Sequence, residues 1–180
     1  MLKKAAFVLV MALFAFLAFA KDESGGLIDG DTWAILASAP QGWIWDSSSL
    51  RAQGIFGLYY KQGQPFSSST LHIYIKPTPR PAAGSSSLLE FMESDQAAFK
   101  NSNPGVLIKS LAPYSAGLDY RFAMRDFDDS TKGYYQALAY CEGEDAFFVI
   151  VLAGTSPEER EAERGALIEL LDSFTYIRKE

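Results

Sequence analysis

The stretch YYQALAYCEGEDAFFVIVLA, residues 134–153, decides how this chain folds. It consists of two apolar runs on either side of the polar turn EGED, residues 142–145. Runs that are rich in aromatic and β-branched residues and bounded by turn residues are typical of β-strands. The second run has no polar face, and a strand that is apolar on both faces must be covered on both. The stretch therefore predicts a β-hairpin at the centre of a sheet that lies between two other layers.

The turn of this hairpin sets the register of its two strands. Glycine is favoured at the first central position of a type II′ turn, so the sequence predicts a two-residue turn at Gly143 and Glu144. In that register Tyr140 lies opposite Phe147, and small side chains elsewhere face large ones, which stabilises the pairing. A longer loop would give a different register.

Composition limits the chain to a few classes of protein. Its 180 residues suggest one domain, and 48% hydrophobic residues are enough to build a core. The net charge is −6, from 16 basic and 22 acidic residues. Non-specific binding to nucleic acid depends on Lys and Arg side chains that neutralise phosphates. This acidic chain is therefore not expected to bind nucleic acid.

The first 20 residues have the three parts of a secretory signal peptide. Lys3 and Lys4 precede an apolar run, residues 5–20, which ends in an A-x-A pattern. The run is shorter than the roughly 20 residues that a bilayer span needs. We therefore expect cleavage after Ala20, export to the periplasm or the extracellular space, and no membrane anchor on the mature protein. An uncleaved anchor is the alternative.

Residues 21–31 are polar and rich in glycine, and we expect them to be a flexible lead before a single domain at residues 32–180. Within that domain, apolar and polar residues alternate in several short runs, as in half-buried strands. In the last run before the hairpin, Leu118 and Phe122 are predicted to face the core while Arg121 faces the other way. The predicted strands cover residues 32–38, 55–61, 70–76, 106–111 and 118–127.

Two helices are predicted from their first residues. Ser87, with Glu90 three residues later, forms a capping box, and this helix must end before the Asn-Pro-Gly sequence at residues 103–105. Ser156 and Pro157 open the last helix. Strands and helices in this order predict an α+β fold, in which a mainly antiparallel β-sheet has helices packed on both faces.

Three segments resemble a known family. They are STLHIYIKP at residues 69–77, SLLEFMESDQAAFKNSNPG at residues 87–105, and the hairpin with the helix after it at residues 134–176. In order and hydrophobic pattern they are similar to the PsbP/Mog1-type α/β/α sandwich, a superfamily that includes DcrB-like bacterial proteins. The resemblance covers nearly the whole mature domain and includes no signature motif. It implies a compact domain whose relatives mostly bind or assist other proteins, and it carries over no functional residue and no named partner.

Residues that could carry out chemistry are few. His72 is the only histidine in the sequence and Cys141 the only cysteine, so their number excludes a zinc site built from several of them. A hydrolase would have to use His72 as its base, and no G-x-S-x-G motif accompanies it. Cys141 can form no internal disulfide and is expected to be a small buried side chain. We expect no metal and no cofactor, and whether the protein is an enzyme stays open.

A cluster of three aspartates and the single residue Asp95 are candidates for a site. Asp126, Asp128 and Asp129 lie close together, but a calcium loop needs a glycine at its sixth position, where this chain has Thr131. A hairpin turn is the expected structure there. Helical spacing places Asp95 on the apolar face of its helix, where it either caps a neighbouring backbone group or lies at the edge of the buried stripe.

Three functions are compatible with this inventory. The first is an exported, non-enzymatic binding or assembly module whose partner is another protein. The second is a hydrolase that uses His72, and the third is a carrier of a small apolar ligand held between sheet and helix. Trp33, Trp43 and Trp45 would either line a pocket or anchor a partner, or hold the first strand against the core. The scarcity of nucleophiles, bases and metal ligands favours the first function.

The polar faces of two predicted strands are the candidate binding surface. One carries His72 and Tyr74, and the other carries Arg121 and Arg125. Complete cover by a helix would desolvate the arginines, at a cost on the order of several kcal/mol each unless they were paired. Tyr and Arg are also enriched at binding hot spots. These four are the candidate binding residues, rimmed by the loop at residues 77–86, and an ordinary solvated sheet face is the alternative.

Overall fold

A computed structural model of the protein describes residues 26–46 and 50–179. The predicted signal peptide at residues 1–20 lies outside the described residues. Within those residues, no helix is long and apolar enough to cross a bilayer.

Strands and helices occupy most of the described chain. A small sheet is formed by β1 (Gly26–Asp29), β2 (Trp33–Ala37) and β11 (Thr175–Arg178). A large sheet is formed by β3 (Trp43–Asp46), β4 (Gly57–Lys61), β5 (His72–Pro79), β6 (Leu107–Ser110), β7 (Tyr114–Ala116), β8 (Tyr120–Asp129), β9 (Tyr134–Glu142) and β10 (Ala146–Gly154). The helices are α1 (Arg80–Ala83), α2 (Leu88–Ser102), α3 (Pro157–Ala162) and α4 (Arg164–Ser173).

The hairpin of β9 and β10 lies in the middle of the large sheet, as its sequence predicts. The strand order is β3-β4-β5-β10-β9-β8-β6, with β7 also paired to β8, and the small sheet has the order β1-β2-β11. All strand pairs are antiparallel. Every residue of β10 is buried, so both of its faces are covered. An antiparallel sheet with helices on both faces confirms the predicted fold class.

The two faces of the large sheet are covered by different elements. On one face, the small sheet and α4 enclose the larger core, in which Phe148, Ile150 and Phe174 are buried. On the other face, α2 covers a smaller core that includes Phe91 and Val149. We call these the α4 face and the α2 face. The small sheet is an addition to the predicted layers. Its three strands come from the two ends of the domain.

The central hairpin has a different register from the predicted one. Gly143 donates its backbone N–H across the turn at 2.8 Å, so the turn lies one residue later than predicted, at residues 144–145. Val149 therefore lies opposite Tyr140, where Phe147 was expected. A shift of two residues in pairing leaves every side chain on its predicted face, because side chains alternate along a strand with a period of two.

Gly143 permits a close contact rather than a special turn conformation. Its φ is not positive, so the backbone there does not require glycine. Instead, a Cβ built on Gly143 would lie 2.7 Å from the ring of Tyr176, closer than carbon atoms approach without strain. The Tyr176 hydroxyl accepts a hydrogen bond from the backbone N–H of Asp145 at 3.3 Å. The glycine thus lets the end of the chain pack against the central turn.

Strand β5 extends past the position where the sequence predicts its end. Pro77 and Pro79 both pair with β10. On its other side, β5 is paired with β4 only as far as Ile75. A proline is tolerated in a sheet where its missing N–H faces no neighbouring strand. The nitrogen atoms of the two prolines face that open side. The backbone N–H of Arg80 then donates to the carbonyl of Asp145 at 2.9 Å.

The first strand lies inside the predicted flexible lead, which is wrong for residues 26–29. They pair with β2 over their whole length, and Ile28 is fully buried. Gly26 was one reason to predict a flexible lead. In the structure the ring of Trp45 packs against it, since a Cβ on Gly26 would lie 2.0 Å from the indole. Glycine in this strand serves close packing rather than flexibility.

Both predicted helix starts are confirmed. The Ser87 hydroxyl accepts a hydrogen bond from the Glu90 N–H at 3.3 Å, and the Ser156 hydroxyl accepts one from the Glu159 N–H at 3.1 Å. The last helix is broken at Glu163 into α3 and α4. That break was not predicted, and Arg164, which follows it, bonds to Asp126 of the sheet.

Candidate recognition surface

Helix α2 separates the four predicted binding residues into two pairs. All four lie on the α2 face: His72 and Tyr74 belong to β5, whereas Arg121 and Arg125 belong to β8. Tyr74 and Arg125 share one transverse row, and they are three strand spacings, or about 14 Å, apart. Because α2 packs over the strands between them, the residues form two separate surfaces rather than one.

On the β5 side, aromatic rings surround the predicted residues. The rings of His72 and Tyr74 stack with centroids 5.8 Å apart, and the ring of Phe66 meets His72 edge-on at 6.0 Å. The Tyr74 hydroxyl accepts a hydrogen bond from the Gln136 amide at 3.2 Å. Burial raises the pKa of Tyr74. It therefore stays neutral, and its hydroxyl is held by the sheet.

The surroundings of His72 do not resemble those of a catalytic base. Its Nδ1 is buried and has no hydrogen-bond partner in the described part of the chain. A catalytic histidine is normally oriented by a carboxylate or carbonyl at this nitrogen. Burial lowers the pKa of His72, so the ring is neutral at pH 7. These features fit an uncharged aromatic contact residue.

Arg125 interacts with the interior of the protein more than Arg121 does. It is half-buried, and its Nη1 donates to the carbonyl of Met124 at 2.8 Å. Its charge also opposes the rise that burial causes in the pKa of Tyr140. Arg125 thus contributes mainly to the electrostatics beneath α2.

Arg121 lines a hollow of about 500 Å³ between the start of α2 and the β7–β8 turn. Its side chain is exposed, and it makes no ion pair or hydrogen bond with another described residue. Leu88 and Tyr120 line the same hollow. Next to these residues, Leu118 is fully exposed and Leu89 is 62% exposed. The hollow thus combines apolar side chains, the Arg121 guanidinium and the carboxylates of Asp119 and Glu142.

The exposure of Leu118 contradicts its predicted place in the core. Strand β7 ends at Ala116, and Gly117 has φ +60°, which turns the chain away from the sheet. Strand β8 begins only at Tyr120. Leu118 therefore lies in the turn, where strand alternation does not apply. The glycine just before it was the signal in the sequence that could have shown this.

A smaller groove of about 220 Å³ lies on the other side of α2, between the helix and β5. Lys76, Asp95 and Val149 line it. The predicted rim at residues 77–86 contributes Thr78 and the small side chains of α1. This groove and the hollow therefore lie on opposite sides of α2.

A buried ion cluster on the α4 face was not predicted. The Arg164 guanidinium donates to both oxygens of Asp126 at 3.0 Å, and Arg160 pairs with Asp126 at 3.5 Å and also with Asp128. Asp126 and Arg160 are 5% and 6% exposed. Their charges would be costly without a partner, so this cluster fixes α3 and α4 to the sheet and leaves little for a ligand.

The third aspartate of the predicted turn closes that turn. Asp129 accepts backbone hydrogen bonds from Thr131 at 3.0 Å and from Lys132 at 3.3 Å. The bond from the Thr131 side chain lowers the pKa of Asp129. The described residues contain no group of three or more His, Cys, Asp or Glu side chains that could hold a metal ion.

The three tryptophans belong to the core. Trp33 and Trp43 are 3% and 2% exposed, and Trp45 packs against the same cluster. The ring of Trp33 meets Phe148 edge-on at 5.4 Å. This arrangement supports the hypothesis that they hold the first strands against the sheet.

Comparison by sequence reveals no relative. No protein-family model matches the chain, and no curated protein matches it at a significant level.

Comparison by structure finds several proteins with this fold. Cyanobacterial PsbP from Synechocystis sp. PCC 6803 aligns with a TM-score of 0.54 and 9% identity, over 88% of this chain and 96% of its own. LpqN of Mycobacterium tuberculosis aligns with a TM-score of 0.55 and 16% identity, over 84% and 90%. The Ran-binding protein Mog1p of Saccharomyces cerevisiae gives 0.50 and 13%, over 86% and 96%. The chain therefore has the PsbP/Mog1-like fold that its sequence resembles, and similarity at these identities shows the fold alone.

Proposed function

We propose that this protein is an exported, non-enzymatic binding module that binds another protein through the surface around Arg121. This surface comprises Leu88, Leu118 and Arg121, and we call it the Leu118 surface. The observation that carries the proposal is the full exposure of Leu118 close in sequence to Arg121, whose guanidinium lines a hollow and has no ion pair among the described residues.

A single exposed leucine has no functional meaning, because much of any protein surface is apolar. Here, however, the fully exposed Leu118 lies in the turn that borders the hollow, and Leu88 of α2 lines the same hollow beside Arg121. The cores of protein interfaces combine apolar side chains with Arg in this way. The arrangement therefore favours a protein partner over solvent.

The Arg121 side chain is suited to this role. Tyr120, the next residue in the strand, faces the α4 side of the sheet, where its ring packs edge-on against Phe174 at 5.4 Å and its hydroxyl accepts from the Tyr176 N–H at 3.0 Å. Arg121 is free to form two parallel hydrogen bonds with a carboxylate of the partner. We infer that the partner presents an apolar group flanked by an acidic residue.

Other proteins with this fold support a binding role. Mog1p is described as Ran-binding, and LpqN as involved in cell envelope biogenesis. A binding role is therefore compatible with this fold, whereas the identity of the partner is not transferable. His72 and Tyr74 remain candidates for contacts with a partner large enough to extend across α2. The signal-peptide features of residues 1–20 support export.

The proposal is tested by reversing charge and polarity on the Leu118 surface. We expect the double variant Leu118→Asp with Arg121→Glu to lose a partner that wild type recovers from the exported fraction, by about tenfold or more. The measurement is quantitative mass spectrometry after mild cross-linking and affinity capture. The captured mature protein should begin at Lys21, as the predicted cleavage requires.

A matched control lies on β6, where Leu107 is 74% exposed and Lys109 is also exposed. The variant Leu107→Asp with Lys109→Glu makes the same chemical changes away from the hollow and should recover the partner as wild type does. Equal recovery by all three proteins, or equal loss in both variants, would show that the Leu118 surface is not the binding site. Matching circular dichroism spectra would establish that the variants are folded.

A further inference from the structure

Asp95 is an oriented carboxylate that lacks a cation. It projects from the side of α2 that otherwise presents Phe91 and Met92 to the sheet. The hydroxyl of Tyr140, which is fully buried, donates to Asp95 Oδ2 at 2.7 Å. Among the described residues, Asp95 has no ion pair. A half-buried carboxylate held in one orientation without a counter-ion is suited to accept a cation from outside.

Lys76 lies across the same groove and also lacks a partner. It is exposed on β5, and it makes no ion pair or hydrogen bond within the described part of the chain. Lys76, Val149 and Tyr140 form one transverse row over three adjacent strands. Asp95 is bonded to the end of that row, so the groove has an ammonium on one wall and a carboxylate on the other. Val149 lies between them.

The floor of the groove is apolar. Phe91 and Val149 form it and are 7% and 4% exposed. The methyl groups of Ala83 and Ala98 line it, and the Ser94 hydroxyl lies at its edge. The groove therefore offers one positive group, one negative group and an apolar surface between α2 and the sheet.

We propose that this groove binds a free α-amino acid with an aliphatic side chain. The ligand's ammonium group bonds to Asp95, its carboxylate bonds to Lys76, and its side chain packs on the floor formed by Phe91 and Val149. This function is separate from protein binding at the Leu118 surface and does not depend on it.

The dimensions of the groove fit this ligand. Adjacent strands lie about 4.8 Å apart, so the Cα atoms of Lys76 and Tyr140 are about 10 Å apart, and the flexible four-carbon stem of Lys76 lets its ammonium adjust its distance from Asp95. The ammonium nitrogen and a carboxylate oxygen of an amino acid lie about 3 Å apart. A hydrogen bond of about 2.9 Å at each end extends that span to about 9 Å. The volume of about 220 Å³ is also too small for a nucleotide or a drug-sized ligand.

Charge excludes related ligands. A fatty acid would pair with Lys76 and leave the Asp95 carboxylate desolvated without a cation. A simple amine would pair with Asp95 and leave the Lys76 ammonium without an anion. An unpaired charge in a partly apolar site is unfavourable. A zwitterion satisfies both groups at once.

The test uses three probes and calorimetric titration of the mature domain. L-Leucine carries both charges, N-acetyl-L-leucine lacks the ammonium, and L-leucinamide lacks the carboxylate. We expect L-leucine to bind, and each blocked analogue to bind at least about tenfold more weakly. If both analogues bind as well as L-leucine, the apolar floor alone accounts for binding and the proposal is wrong.

Two variants assign each charge to its residue. Asp95→Asn should weaken the binding of L-leucine by about tenfold and remove the preference for L-leucine over its N-acetyl analogue. Lys76→Met should weaken the binding of L-leucine to the same extent and remove the preference for L-leucine over L-leucinamide. Matched controls are Glu93→Gln and Lys100→Met, which change exposed residues on the outer side of α2; they should bind L-leucine as wild type does.

Two further results would overturn the proposal. One is the absence of binding by folded wild type at about 10 mM L-leucine, a concentration at which even a weak site would be occupied. The other is equal weakening in the control variants, which would mean that general surface charge attracts the ligand. Thermal unfolding of each variant shows whether it is folded, and L-leucine should raise the melting temperature of wild type more than that of Asp95→Asn.

Discussion

The two faces of the large sheet show how one sheet can serve both stability and binding. The α4 face is closed by the small sheet and α4, and its charged residues Asp126 and Arg160 neutralise each other in the interior. The α2 face is covered by one helix, and Arg121 and Lys76 beside that helix have no ion-pair partner in the described chain. Charges that pair with each other stabilise a fold, whereas unpaired charges beside apolar depressions are available to a ligand.

The same contrast extends to the apolar side chains. On the α4 face, the ring of Phe148 meets Trp33 and Phe174 edge-on, at 5.4 and 5.8 Å. On the α2 face, Phe91 stacks on Phe147 at 4.7 Å and also lines the groove. A side chain that borders open space contributes less packing than one enclosed on all sides. We therefore expect the α4 face to contribute more to the free energy of unfolding.

The largest predicted effect compares one phenylalanine from each face. Phe148→Ala should destabilise the protein by about 4 kcal/mol, because a fully buried ring leaves a cavity that its neighbours cannot fill. Phe91→Ala should destabilise the protein by roughly 1 kcal/mol less, because the groove beside Phe91 allows α2 to move into the space that the ring leaves. Urea unfolding of both variants measures the difference. Equal or reversed costs would mean that the two faces contribute equally to stability.

The sequence predicted the centre of the fold because that part depends on local pattern. The apolar runs at residues 134–141 and 146–153 can only be buried strands, and both faces are covered as expected. The register was wrong because Gly143 was taken as a turn residue. Its role depends on Tyr176, more than 30 residues later, and no local pattern reports such a contact.

The candidate sites were predicted in part for the same reason. Strand alternation placed Arg121 and Tyr74 on one face, but it could not show that α2 would lie between them. The ion pair of Asp126 with Arg160 joins a strand to a helix 34 residues away, and no local pattern reports such a contact. The unusual position of Asp95 was visible in the helical spacing, whereas its hydrogen bond to Tyr140 depends on tertiary packing.

A smaller effect compares two glycines. Gly143→Ala should destabilise the protein by about 1–2 kcal/mol, because the added methyl meets the Tyr176 ring at 2.7 Å. Gly165→Ala, in α4, should stabilise it by about 0.5–1 kcal/mol, because no atom lies within 4 Å of the added methyl and alanine is the better helix former. Differential scanning calorimetry should show melting temperatures that shift in opposite directions. A shift of the same sign in both would contradict the assignment of Gly143 to a close contact.

The smallest predicted effect concerns the acids that cap one helix on each face. Hydrogen bonds from Ser86 lower the pKa of Glu90, at the start of α2. Burial opposes ionisation of Glu159, at the start of α3, but bonds from Thr155 and Thr70 outweigh it and lower its pKa. A lowered folded-state pKa adds stability above the unfolded pKa of about 4.3, and this stability is lost as pH falls through the folded value.

Glu90→Gln and Glu159→Gln should therefore destabilise the protein at pH 7 by less than Gly143→Ala does. Their difference from wild type should shrink as pH falls below about 4. Thermal unfolding between pH 7 and pH 3 measures this dependence. A difference that stays constant over that range would show that the two carboxylates contribute through packing rather than through charge.

The most direct test of the central claim is site-specific photo-cross-linking from one position on each side of the molecule. A photoreactive phenylalanine analogue is placed at Leu118, beside the hollow, or at Leu36, which is 44% exposed on the small sheet over the α4 face. The account predicts a discrete covalent adduct with one protein from position 118 and none from position 36 after irradiation of intact cells. Adducts from position 36 and none from position 118 would contradict it.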